Sequence, residues 1–223
     1  MTIGELIWKG RAWPKASVGK TLDVVYKDSA GGGRTATGKA FDIQTTGKGR
    51  EYEVFGRAAW WRNFSELDVT DPDAVIRFVR RRGDPFGDLE YRDHTDTLRW
   101  ALLAALLKPA ADCWTSDRSG TSVFAASPIE QRRAIETMIW SEHWLIDYQT
   151  FVDDSVNFPF SIRMVAFSLA GFMLASAVEM TNYKIKMTIC EHCGDWFEEL
   201  RSGTRFCTPS CRAAYSASKK ERK

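Results

Sequence analysis

Apolar and polar residues alternate over short runs in the first part of the chain, up to about residue 68. The segments TLDVVYKD and KAFDIQTT flank the glycine-rich SAGGGRTATG, and EYEVFGRAAWW follows them. Period-two alternation bounded by glycine is typical of strands joined by turns. The pattern predicts a small β-rich N-terminal module over residues 1–68, with three strands in these segments.

The hydrophobic period changes to three to four residues at VTDPDAVIRFVRRRG. Thr70 or Asp71 can cap a helix there, Pro72 suits its first turn, and Gly83 can end it. We interpret the triplet Arg80–Arg82 as the solvated last turn of this helix, and phosphate contacts are the alternative.

Three further helices are predicted between this helix and the cysteines. The first is TDTLRWALLAALLK, which runs up to Pro109, and the second is SPIEQRRAIETMIWSEHWLIDYQTFVDD, in which Ser127 and Glu130 can form a capping box. The third begins near Pro159 and continues to about Tyr183. Its apolar run is shorter than the roughly 20 residues of a membrane span, so we expect a buried helix and no membrane partner. Residues 69–188 are therefore predicted to be a helical domain.

Four cysteines lie close together near the end of the chain, in CEHCGDWFEELRSGTRFCTPSC. Two residues separate Cys190 from Cys193, three separate Cys207 from Cys211, and thirteen lie between the pairs. These spacings are typical of two knuckles that bind one tetrahedral zinc ion. Chance clustering or a redox pair is the alternative, and His192 is the competing ligand within the first knuckle.

The residues around the cysteines predict a treble-clef arrangement. Gly194 permits the turn after the first knuckle, and DWFEELRSGTRF is expected to form a hairpin that returns to the third cysteine. Thr208 can cap a final helix, Pro209 suits its first position, and Cys211 falls in its first turn. Four thiolates leave no open coordination position, so the Zn²⁺ is expected to be structural. Residues 189–223 are thus predicted to be a four-cysteine zinc finger with a basic tail, and the whole chain an α+β protein that is mainly α.

Charge is unevenly distributed along the chain. The segment from Leu200 to Lys223 has seven cations and one anion, although the whole chain carries only +2, so the remainder carries −4. An acidic body with a basic end suggests that a polyanion would bind at the C-terminal end of the chain. The candidate nucleic-acid-binding residues are Arg201, Arg205, Arg212, Lys219, Lys220, Arg222 and Lys223.

A family motif can be traced through Cys190, Cys193, Phe197, the RFC of residues 205–207 and the CRAAY of residues 211–215. This motif resembles the zinc finger of the CGNR type, found in bacterial transcription regulators behind a mostly helical domain similar to stress regulators. This chain has C-R-A-A where the family has C-G-N-R, which moves it toward a broader group of treble clefs in bacterial and phage proteins. The resemblance implies DNA binding and transcription regulation.

Two hypotheses of function follow. In the first, the chain is a DNA-binding transcription regulator, in which Arg212, Lys219 and Lys223 form one stripe of the last helix and contact phosphates. The segment after residue 189 contains five anions, and a zinc site made of four thiolates adds a charge of −2. Together these charges offset the seven cations, so DNA binding is favoured only by the separation of the cations from the anions in space. In the alternative, the zinc stabilises a protein-interaction surface, and the tryptophan-rich helices contact a protein partner or a second copy in a homodimer.

An enzyme is not expected, because no nucleophile–base pair, open metal site or phosphate loop can be assembled from motifs. A scattered carboxylate pair such as Asp153–Asp154 is the remaining enzymatic alternative. The N-terminus has no apolar segment behind a basic start, and paired cysteines at ligand spacing favour a reducing compartment. We therefore expect a cytoplasmic protein.

Overall fold

The computed structural model of the protein describes residues 6–27, 35–92, 94–115, 122–145, 148–153 and 161–221, which form an α+β fold as predicted. The strands in these ranges are β1 Leu6–Ala12, β2 Ala16–Lys27, β3 Thr35–Thr45, β4 Arg50–Phe55, β5 His94–Asp96, β6 Tyr148–Asp153, β7 Ser161–Ala166, β8 Met187–Ile189 and β9 Trp196–Glu198. The helices are α1 Trp60–Ser65, α2 Pro72–Arg82, α3 Asp88–Tyr91, α4 Leu98–Ala111, α5 Pro128–Leu145, α6 Leu169–Asn182 and α7 Pro209–Glu221.

The strands predicted near the N-terminus are present, but they belong to two different sheets. Strands β2 and β3 pair antiparallel and continue to β5 in a three-stranded sheet. Strand β4 pairs with β1 instead. The prediction of one strand through EYEVFGRAAWW was wrong in its second half, because Gly56 has a φ of +75° and ends the strand. Helix α1 then begins at Trp60 and places Trp61 in the core.

The second sheet has the order β4-β1-β7-β6, with β1 parallel to β7 and the other pairs antiparallel. Both β6 and β7 lie in segments predicted to be helical. Residues 148–153 form β6, so the helix predicted from Ser127 to residue 154 was wrong there, and residues 146, 147 and 154 lie outside the described ranges. The helix predicted from Pro159 begins only at Leu169. Aromatic and β-branched residues in YQTFVD and SIRMVA suit strands, and β1 offers β7 an edge for backbone hydrogen bonds.

The helix caps follow the sequence more closely than the helix ends. Asp71 accepts a hydrogen bond from the Asp73 amide at 2.9 Å, and Ser127 and Glu130 form the predicted capping box. Helix α4, by contrast, continues past Pro109 to Ala111, because proline removes only one amide donor near the helix end.

One hydrophobic core includes residues from all three predicted segments. Trp8 of β1 stacks on Phe172 of α6 with ring centroids 5.8 Å apart, and Trp196 of β9 joins the same cluster. The exact boundaries of the predicted modules stay predictions, but their apolar side chains pack together. Helix α6 is buried along most of its length, as expected from its composition. Within the described ranges, no helix combines the length and the apolar composition needed to cross a bilayer.

Candidate metal centre

The first cysteine knuckle forms the turn between β8 and β9. The Cys190 amide donates to the carbonyl of Asp195 at 2.9 Å, the Gly194 amide donates to the carbonyl of Cys190 at 2.9 Å, and Gly194 has a φ of +74°. The hairpin was predicted at residues 195–206, between the cysteine pairs. That position was wrong, because β9 pairs with β8, the strand that precedes the first cysteine.

The second cysteine pair lies at the start of α7, as predicted. The Thr208 hydroxyl accepts a hydrogen bond from the Cys211 amide at 3.1 Å, which makes Thr208 the cap of the helix. Pro209 is the first helical residue, and Cys211 is in the first turn. Local sequence therefore determines how the last cysteine is presented.

The four cysteine sulfur atoms lie within 4.8 Å of one another, and all four cysteines are free thiols. The Sγ atoms of Cys193 and Cys207 are 3.7 Å apart, and those of Cys207 and Cys211 are 3.5 Å apart. Metal–sulfur bonds of about 2.3 Å, the length found for zinc, would place the corners of a tetrahedron about 3.8 Å apart. The four sulfurs can hold one metal ion of this size. The exposed His192 is not part of this cluster.

The thiols of the site influence one another strongly. A hydrogen bond from the Cys207 thiol is the largest cause that lowers the pKa of Cys193, to about 4, and the Asp195 amide and the Arg81 guanidinium add to it. The same contact, together with burial, raises the pKa of Cys207. Such a set of clustered sulfur donors, with one already favoured as thiolate, is suited to a thiophilic cation.

Trp196 attaches the knuckle to the body of the protein. Its backbone exchanges two hydrogen bonds with the Asn63 side chain, at 2.7 and 3.0 Å, and its indole donates to Glu66 at 2.9 Å. The guanidinium of Arg62, whose side chain is 1% exposed, lies 3.8 Å from the centroid of the Trp196 ring. Arg62 also donates to the Ser122 hydroxyl at 2.9 Å. Helix α1 thus holds β9 by hydrogen bonds, a cation–π interaction and burial of the indole ring.

A second attachment comes from the loop between β4 and α1. Arg57 donates to Glu179 of α6 at 2.7 Å and to Glu198 of β9 at 2.8 Å. All three side chains are partly buried, so water screens these ion pairs less than it screens a fully exposed pair. The bridge ties the β8–β9 hairpin to the buried helix α6 of the core.

The arginine triplet of α2 is solvated in part, because Arg80 and Arg81 are exposed, but all three side chains also contact other parts of the protein. Arg80 donates to the carbonyl of Ala16 at 2.9 and 3.0 Å. Arg81 and Arg82 both reach the carboxylate of Asp195, at 2.9 and 3.5 Å. The last turn of α2 therefore faces the knuckle across a cleft of about 390 Å³.

The predicted nucleic-acid-binding residues differ in their surroundings. Arg201, Arg212 and Lys219 are exposed, and Lys219 lies 5.0 Å from the centroid of the Tyr215 ring. Arg205 is exposed but forms a two-point ion pair with Glu191. Lys220 is in α7, although its side chain is not among those described, and Arg222 and Lys223 lie outside the described residues.

Sequence reasoning found the four cysteines and missed the residues that hold them in place, which include Arg62, Asn63, Arg81 and Asp195. Motif spacing reports on ligands that are close in sequence, whereas Arg62 and Trp196 are more than a hundred residues apart. No short motif of the sequence connects Arg62 with the two rings that it contacts, Trp114 and Trp196.

Comparisons with known proteins add no further constraint. No family model, no curated protein and no solved structure matches this chain.

Proposed function

We propose that Cys190, Cys193, Cys207 and Cys211 bind one structural Zn²⁺ and that the metal-anchored helix α7 binds DNA, so that the chain acts as a transcription regulator. Zinc is the metal of choice because four thiolates in a tetrahedral arrangement are its usual structural ligand set. The protein supplies all four ligands, so the ion would organise the backbone and leave no position for a reacting water.

The observation that carries the DNA proposal is the exposed basic side of α7. Arg212 and Lys219 are seven residues apart, which places them on the same face of a helix, and both are exposed. Exposed Arg201 lies in the turn between the cysteine pairs and adds a third cation. Arg205 contributes less positive potential because Glu191 offsets its charge. A helix face with flexible cations is suited to phosphate contacts, which give affinity without sequence preference.

The first test measures metal content and DNA binding on the same samples. The wild-type protein and Cys207→Ser are analysed by mass spectrometry for zinc, and their binding to a labelled duplex is followed across a salt series. We expect one zinc per chain in the wild type, loss of zinc in the variant, and DNA binding that weakens steeply with salt and disappears in the variant.

Charge variants then test the helix face. Arg212→Gln and Lys219→Gln should each lower the salt dependence, the slope of log affinity against log salt, by about one. Arg132→Gln is the matched control, because this exposed arginine on α5 carries the same charge and lies outside the basic face. It should leave the slope unchanged.

Two results would contradict parts of the proposal. Zinc bound without DNA binding at low salt would remove the DNA part and favour the alternative, a zinc-stabilised platform for a protein partner. Absence of any bound metal in purified wild-type protein would remove both parts.

A further inference from the structure

Asp195 connects both sides of the cleft between α2 and the knuckle. Its backbone carbonyl accepts from the Cys190 amide at 2.9 Å, which closes the turn that contains Cys193. Its carboxylate contacts two atoms of Arg81, at 2.9 and 3.2 Å, and Arg82 at 3.5 Å. One residue therefore joins the cysteine knuckle to two arginines of the body.

The two arginines are held on a rigid support. The guanidinium of Arg82 lies 4.1 Å from the centroid of the Trp60 ring, and the Tyr52 hydroxyl donates to the Arg82 carbonyl. One turn earlier, the Trp13 amide donates to the carbonyl of Val79 at 3.2 Å. Because α2 is fixed to both sheets in this way, Arg81 and Arg82 can hold the knuckle without a large loss of side-chain entropy on metal binding.

Arg81 also lies near a predicted metal ligand. Its side chain lines the same cleft as Cys193 while its guanidinium holds the carboxylate of Asp195. A metal ion bound by four thiolates would carry a net charge of −2, whereas Arg81, Arg82 and Asp195 together carry +1. Hydrogen bonds and positive charge next to a coordinating sulfur orient it and offset the negative charge of the site.

We infer that Arg81, acting with Arg82 through Asp195, is a positioning residue of the metal centre that holds the Cys190–Cys193 knuckle in place for coordination and slows the release of the ion. This inference rests on the metal-binding part of the proposed function and does not depend on DNA binding. The body of the protein thereby controls how firmly the cysteine site retains its metal.

The test compares Arg81→Gln with Arg77→Gln. Arg77 lies one turn earlier on α2 and lines the same cleft, but its side chain is 67% exposed and its contact with Asp71 is a 3.8 Å ion pair on the surface. The rate of zinc transfer from the folded protein to a colorimetric chelator is measured, together with the sulfur-to-metal charge-transfer bands after Co²⁺ substitution. Arg81→Gln should release zinc about 10-fold faster and shift the Co²⁺ bands, whereas Arg77→Gln should match the wild type.

Arg81→Lys separates charge from geometry. Lysine keeps the positive charge and loses the two-point contact with Asp195, so its release rate should lie between those of wild type and Arg81→Gln. If Arg81→Gln does not fold, Asp195→Asn provides the second route to the same question, because it removes the charge that gathers the two arginines and should also speed zinc release.

Equal release rates and equal Co²⁺ spectra in wild type, Arg81→Gln and Asp195→Asn would overturn the inference and leave these ion pairs as surface contacts of the fold. Faster release in a protein that binds no DNA would support the inference and contradict only the DNA part of the proposed function. A wild type that binds neither zinc nor cobalt would overturn both.

Discussion

The two halves of the cysteine site are held in place by different forces. Cys190 is 1% exposed, and the adjacent β9 sends Trp196, 2% exposed, into the main core. Cys207 and Cys211 are only partly buried, and the ring contact between Phe206 and Tyr215, at 5.1 Å, is the apolar packing of their helix. The first half is anchored in the body of the protein, whereas the second half is joined to the first by the sulfur cluster and by the contacts of Arg205 with Glu191.

This difference predicts that the two halves respond differently to a metal ion. Burial of a tryptophan and several partly buried hydrogen bonds do not require an ion. A helix of thirteen residues with little packing is marginal in water, so we expect α7 to depend on the proposed metal for its position. The four experiments below perturb either the cysteine site or the body of the protein, and they follow in order of decreasing expected effect.

Removal of the metal should produce the largest change, and it should be confined to the second half. Zinc binding contributes about 10–16 kcal/mol in comparable peptides, and this far exceeds what one ring contact gives α7. We expect chelation to abolish the hydrogen-exchange protection of amides in residues 209–221 while amides in α6 stay protected. Cys207→Ser should reproduce this pattern. Simultaneous loss of protection in α6 would mean that the two halves are not separable.

Trp196→Ala should destabilise the whole protein. Loss of a fully buried tryptophan costs about 3–5 kcal/mol, and here it also removes the indole donor to Glu66 and the ring that Arg62 covers. Urea denaturation followed by far-UV circular dichroism measures the change. Phe206→Ala is the control in the second half, and it should leave the main unfolding transition near that of the wild type. A similar shift for both variants would contradict the comparison.

The response to pH should have opposite signs in the body and in the cysteine site. Burial raises the pKa of Asp84 to about 6, above its ordinary value of 3.8. The native state therefore binds more protons than the unfolded state between these values, and the contribution of Asp84 to the free energy of unfolding falls by about 3 kcal/mol as pH rises through this window. In the cysteine site, by contrast, acid protonates the thiols and favours metal release, so the stability of this site should rise with pH.

Asp84→Asn isolates the contribution of the body. Urea denaturation of wild type and variant at pH 4 and pH 6.5 should show that the difference between the two proteins depends on pH, because metal loss in acid affects both alike. A difference that is independent of pH would show that Asp84 keeps its ordinary pKa in the folded protein.

Removal of single helix caps should have the smallest effects. Thr208→Ala and Ser168→Ala each remove a hydroxyl that caps a helix, α7 and α6 respectively, at a cost of about 1 kcal/mol. The cost should appear as faster amide exchange within α7 for Thr208→Ala and as a lower global stability for Ser168→Ala. Equal effects on global stability would mean that α7 unfolds together with the body.

Features determined by neighbouring residues were predictable from the sequence. The spacing of the cysteines, the cap at Thr208 and the capping box at Ser127 depend on contacts within a few positions, and the structure contains all three. The antiparallel pairing of β2 and β3 was predictable for the same reason, because a glycine-rich sequence separates two alternating segments. Residues 35–38 of the predicted loop SAGGGRTATG belong to β3, and its earlier residues lie outside the described ranges.

Features that depend on distant partners were not predictable. Strand β7 forms because β1 offers it an edge, and the two are about 155 residues apart, so the local pattern of SIRMVA could not reveal the pairing. The knuckle is likewise held by Arg62 and Arg81, whose contacts with Trp196 and Asp195 require the complete fold. The helix predictions extended neighbouring helical patterns through both strand segments, whereas their aromatic and β-branched residues and their tertiary pairing favour strands.

The central position of β1 has a consequence for the order of folding. Its antiparallel partner β4 follows within about forty residues, but its parallel partner β7 is made only after most of the chain. The entropy cost of closing so long a loop must be met before the contacts between the strands form, and this makes such pairing intrinsically slow. During synthesis, one edge of β1 stays unpaired until β7 emerges, and the cysteines follow soon afterwards. The cysteine knuckle would thus reach its contacts with helix α1 at the time when the central sheet is completed.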